Sequence, residues 1–120
     1  MTIELIAHPF DNVVGLKIEN KIEAADIDRI AQLIEAKLQQ TKKLRIYAEV
    51  VSWSGMSIKA LLKDLRFGLR HFQDLEKEVI VSDLRWLERL AKTSDRLFSQ
   101  IEIKHFSTAE KDKAWEFVAR

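Results

Sequence analysis

The stretch that most constrains this chain is an apolar strand followed at once by a helix of unbroken periodicity. Leu44 to Val51 reads LRIYAEVV, alternating at first and then apolar, as a strand buried on both faces does. After the short connection Ser52-Trp53-Ser54-Gly55-Met56, a helix runs from a Ser57 N-cap to about Phe72. Its apolar residues Ile58, Leu61, Leu62, Leu65, Leu69 and Phe72 fall at the three- and four-residue intervals of one helix face. A buried strand feeding an amphipathic helix is the unit of an α/β fold.

The rest of the chain extends that unit. Ile3 to His8 and Val13 to Ile18, separated by Pro9-Phe10-Asp11-Asn12, read as an antiparallel hairpin. Glu23 to Gln40 reads as a surface helix with Ile27, Ile30, Ala31, Leu33, Ile34 and Leu38 inward. Glu78 to Val81 is a short strand, capped by Ser82 or Asp83 into a helix from Leu84 to about Thr93, with a break near Ser94 before Leu97 and Phe98. Ile101 to Phe106 alternates as an edge strand with one wet face, and Ser107 to Glu110 fits the capping box of a last helix docked by Ala114, Trp115, Phe117 and Val118. The order β-β-α-β-α-β-α-β-α predicts a mixed, mostly parallel sheet with four helices, in one domain spanning residues 1–120.

Composition excludes several functions. Twenty Lys and Arg against nineteen Asp and Glu leave a net charge of +1, which gives no global field for nucleic acid. Without cysteine there is no disulfide, thiolate metal site or cysteine nucleophile. No secretory signal or membrane-spanning run is legible, so a cytoplasmic protein is expected.

Motifs for catalysis do not assemble. Ser52, Ser54 and Ser57 bracket a strand-to-helix turn, but Ser54-Gly55 lacks the glycine two residues before a nucleophile elbow, and turn and cap roles suffice. His8, His71 and His105 are far apart and form no metal-ligand pair, and Gly15, Gly55 and Gly68 are too dispersed to cradle a phosphate. The expectation is a protein that is not an enzyme and needs neither cofactor nor metal.

The remaining signal is apolar. Phe67, nine positions after Ile58, lies about half a turn from the apolar stripe. Trp53 and Met56 in the loop, Phe67, and Trp86 on the next helix would together edge a hydrophobic cleft. Residues 57–72 add Lys59, Lys63, Arg66 and Arg70 against Asp64. Such a cleft suits an apolar tail with an anionic head, or a membrane surface. The competing reading makes Trp86 core, on an inner stripe with Leu87, Leu90 and Ala91, and makes Phe67 a lone exposed aromatic or a homodimer contact.

The loop Ser52-Trp53-Ser54-Gly55 with Leu62-Lys63-Asp64-Leu65-Arg66-Phe67-Gly68 and Ser82-Asp83-Leu84-Arg85-Trp86 resembles the SpoIIAA-like family, a branch of the STAS fold. The resemblance implies a non-enzymatic module and, through the likeness of that branch to lipid-carrying folds, an apolar or lipid ligand with peripheral membrane contact. Anti-sigma-factor antagonists carry Asp-Ser-Ser-Gly in this loop. Ser54 matches their phosphorylated serine, while Ser52 and Trp53 replace the Asp and the first Ser, so the alternative implied is a protein-interaction switch with Ser54 as phosphoacceptor.

Overall fold

The computed structural model describes residues 3–7, 12–57, 59–60, 62–64, 72–97 and 101–120. Five strands form one sheet in the order β1-β2-β3-β4-β5: β1 Ile3–Ile6, β2 Val13–Ile18, β3 Leu44–Val50, β4 Leu75–Val81 and β5 Glu102–Phe106. β1 pairs antiparallel with β2, and every later pair is parallel, which is the mixed sheet the element order requires. β3 is the central strand and β5 an edge, as their patterns predict.

Helix α1 is Ala24–Leu38, α3 is Arg85–Leu97 and α4 is Lys111–Ala119; the described part of α2 is residues 59–60 and 62–64. The starts of α1, α2 and α4 have sequence causes. Glu23 N–H donates to the Asp26 carboxylate at 2.8 Å before α1, and Ala60 N–H donates to Ser57 Oγ at 3.1 Å, so Ser57 is the cap its position predicts. Before α4, a 3-10 turn over Thr108–Glu110 is closed by Ser107 N–H and its hydroxyl donating to Glu110 Oε1 at 3.0 and 3.1 Å.

Two boundaries differ from expectation. β4 begins at Leu75, three residues earlier than the EVIV run, because Leu44 and Arg45 of β3 hold Leu75 and Lys77 in register. α3 continues through Ser94 without a break; Ser and Asp cost a helix only fractions of a kcal/mol, and no Gly or Pro is there to end it.

Alternate residues divide the core. On one face, Val14, Leu16 and Leu44 pack with Ile27 and Ile34 of α1 and with Ala60 of α2, while Ile103 packs with Ala91 of α3. On the other, Val13, Tyr47, Val79 and Val81 pack with Ala114, Phe117 and Val118 of α4. Three helices thus cover one face and one short helix covers the other. Trp115 widens the cover of α4 by stacking on Tyr47, rings 3.7 Å apart and 12° from parallel.

Candidate functional site

The carboxyl ends of β3, β4 and β5, beside the starts of α2, α3 and α4, are where sheets of this kind place ligands. The loop after β3 is fixed there by its backbone. Val51 N–H donates to Ile18 O, Ser54 N–H to Asn20 O, Ile22 N–H to Gly55 O and Ser57 N–H to Ile22 O, at 2.9 to 3.1 Å. The β2–β3 pairing is in effect carried past both strands, ending in an isolated bridge between Ile22 and Met56. Gly55 permits this with a φ of 100°, a left-handed conformation that other residues rarely adopt.

The serines divide as turn and cap residues. Ser52 Oγ accepts from Asn20 N–H at 3.0 Å and Ser57 Oγ caps α2, so both are spent on local structure. Ser54 is exposed. Among the described residues no hydrogen bond joins its hydroxyl to a base of the kind a serine nucleophile uses.

Of the residues expected to edge a cleft, the structure brings two into ring contact. Trp53 and Trp86 lie 5.5 Å apart at 59°, which joins the β3 loop to the first turn of α3. Trp53 and Met56 are part-buried against the α1 core cluster, so Met56 serves the core more than an open cleft. Phe67 lies outside the described residues.

Trp86 is not core. It is 44% exposed, and Leu90, one turn on, is 51% exposed, whereas Leu87 and Ala91 are buried. The four-residue apolar stripe spans about 140° at 100° per residue, and α3 is rotated so that its Leu87–Ala91 half is buried, with Ala91 packed on Ile101 and Ile103. The Trp86–Leu90 half overhangs the loop side. Leu62 of α2 and Val51 add exposed apolar surface, at 52% and 53%. Arg85 and Arg89 are exposed on the adjoining arc of α3. The basic count of α2 is lower in effect than in sequence, because Lys63 is bound to Asp28 of α1 at 2.8 Å.

The far flank of α3 holds a group that the sequence reading missed. Buried Ser82 lies 2.9 Å from His105 Nε2, and His105 Nδ1 lies 3.9 Å from Glu88 Oε2. Ser82 follows β4, Glu88 is on α3 and His105 on β5, with Ser82 and His105 23 positions apart, so spacing gave no sign of them. The one legible hint was the strict alternation of Ile101 to Phe106, which puts His105 on the face of Ile103. Because Ser82 is wholly buried, the trio cannot present it to a substrate. Nearby, the Thr108 N–H and then its hydroxyl hold Asp83 below the ordinary carboxylate value, and Ser107 does the same for Glu110. Among the described residues no three His, Asp or Glu converge as a metal site would, and no helix is long and apolar enough to cross a membrane.

A search of curated proteins finds no match to the chain. Among solved structures it is similar to an uncharacterised DUF3478-family protein with a SpoIIAA-like fold from Shewanella loihica PV-4, at a TM-score of 0.78 and 21% identity over 97% of this chain and 91% of that one. That likeness shows the fold. The model of the SpoIIAA-like family matches residues 13–119, nearly the whole length, and the chain therefore belongs to the SpoIIAA-like family.

Proposed function

We propose that this protein is a cytoplasmic, non-enzymatic binding module whose Trp53–Trp86 corner takes the apolar part of an amphipathic, lipid-like ligand. One observation carries the reading: Trp86 remains 44% exposed although it touches Trp53, beside a Leu90 that is 51% exposed. A large aromatic left half in water next to more apolar surface marks an interaction site rather than a core. Arg85 and Arg89 border this surface and suit an anionic head group. The same surface would meet a membrane when the ligand is exchanged there.

The magnitude is adequate. Covering the exposed part of Trp86, about 100 Å² of a side chain of about 250 Å², stabilises a complex by roughly 2 to 3 kcal/mol. Decanoate binding, followed by isothermal titration, tests the reading. Trp86→Ala is expected to weaken it by about thirtyfold, equivalent to about 2 kcal/mol, with the melting temperature little changed because the residue is half exposed. Unaltered affinity in that variant, or no binding by the parent protein, would overturn the reading.

A further inference from the structure

We infer that the outer edge of β1 binds an extended peptide of a partner protein, added antiparallel as a sixth strand, in which an apolar residue is followed two positions later by a carboxylate. β1 is an end strand of the sheet, at the opposite edge from β5 and α3, so this surface is separate from the tryptophan corner. Between β1 and α1 opens a groove of about 340 Å³ lined by Ile3, Leu5, Arg29, Ile30, Gln32 and Leu33. Leu5 is the most exposed large apolar side chain among the described residues, at 58%.

Register decides which backbone groups face outward. Arg45 N–H donates to Asn12 O at 2.8 Å and Val51 N–H to Ile18 O at 2.9 Å, so the even-numbered residues along β2 turn their backbone groups to β3. Those of Gly15 and Lys17 then turn to β1, where their register partners are Ile6 and Glu4. Glu4 and Ile6 therefore spend their N–H and C=O groups on β2, and Ile3 and Leu5 direct theirs away from the sheet. The Arg29 guanidinium agrees with this, since it donates to Ile3 O from α1. The pair left open to a new strand is the N–H and C=O of Leu5, a template for strand addition.

The side chains around that pair select the peptide. In an antiparallel addition, the residue that exchanges both bonds with Leu5 points its side chain to the α1 face, beside Leu5, Ile30 and Leu33, where an apolar group is favoured. The residue two positions later lies opposite Ile3 with its side chain on the same face, where Arg29 stands. Arg29 is exposed, makes no ion pair among the described residues and keeps donors beyond the one given to Ile3 O, so a carboxylate suits it. The residue between them faces Glu4, which is exposed on the other face, and is favoured as Lys or Arg. A second copy of this chain fits less well. Paired through Leu5 about a two-fold axis, it would bring Ala7 opposite Ile3 and offer Arg29 no carboxylate.

Titration of the ¹⁵N-labelled full chain with the peptide acetyl-Thr-Val-Leu-Lys-Glu-Thr-amide tests this directly, its Leu placed to meet Leu5. Saturable shifts of the Ile3 and Leu5 amides are expected at millimolar peptide or below, with the Trp86 indole unmoved. Methylating the backbone nitrogen of the peptide's Leu removes one of the two strand bonds and should abolish the shifts. Replacing its Glu by Gln should weaken binding about tenfold, the loss of one charged hydrogen bond. Arg29→Gln should bind the Glu and Gln peptides equally, and the three peptides on the parent protein decide the matter should that variant not fold. No saturable shift, tolerance of the methyl group, equal binding of the Glu and Gln peptides by the parent, or a Glu preference that survives in Arg29→Gln would overturn the inference. So would shifts of the same amides on dilution of the protein alone, which would assign the edge to a second copy.

Discussion

Glu78 sits on the three-helix face of β4, between Ile46 of β3 and Ile103 of β5, where an apolar side chain would be expected. Burial, and then the negative charge of Asp64, push its carboxyl above the ordinary value of 4.5. A carboxyl raised on folding binds its proton more tightly in the folded state. Its contribution to stability is therefore complete below pH of about 4.5 and is lost as pH rises through the raised value. Glu78→Gln stays uncharged throughout, so thermal melts should show a gain in melting temperature at neutral pH that disappears near pH 4. An equal change at both pH values would assign the effect to packing instead. The alternation of the EVIV run placed Glu78 on one face of its strand, but not which face α1, α2 and α3 would cover; two neighbouring strands decide that.

At the scale of elements, α3 shows what periodicity can and cannot specify. The stripe Trp86, Leu87, Leu90 and Ala91 identified the helix, yet its rotation about its own axis was set by Ile101 and Ile103 beneath it, which take Ala91 and leave Trp86 to the loop. Phe67 stood out in the sequence on the same periodicity argument and lies outside the described residues, so the loop–α3 contact rests on Trp53 and Trp86. Caps were the most legible local feature, since Ser57 and the Ser107–Glu110 pair act through bonds within three residues. Close approach was the least legible. Gly15 of β2 is held where an added Cβ would come within 2.8 Å of Ile6 O on β1 and 3.3 Å of the Trp115 ring on α4. Backbone cannot yield as a flexible side chain can, so Gly15→Ala is expected to destabilise the protein by about 1 to 3 kcal/mol in urea unfolding. A change within a few tenths would mean that β1 moves freely.

Across the whole molecule, the two sheet faces carry different tasks. The α4 face is closed by the Tyr47–Trp115 stack, and Tyr47 is so enclosed that burial, then the neighbouring Glu49, raise its phenol well above the ordinary value. The three-helix face leaves apolar side chains uncovered where α2 and α3 meet the β3 loop. Strand and helix order, the mixed sheet and the family resemblance were all readable because they depend on patterns within single elements. The Ser82–His105 contact was not, because Ser82, Glu88 and His105 are neighbours only after β4, α3 and β5 have packed. This division of faces also supplies an internal control, since the three tryptophans sit at two places: Trp53 and Trp86 at the loop corner, and Trp115 against Tyr47 on the opposite face. The indole N–H resonances of the ¹⁵N-labelled protein, followed during titration with decanoate, report on all three at once. Saturable shifts of the Trp53 and Trp86 resonances with Trp115 unmoved are the predicted result; a titration that moves only Trp115, or none of the three, would contradict it.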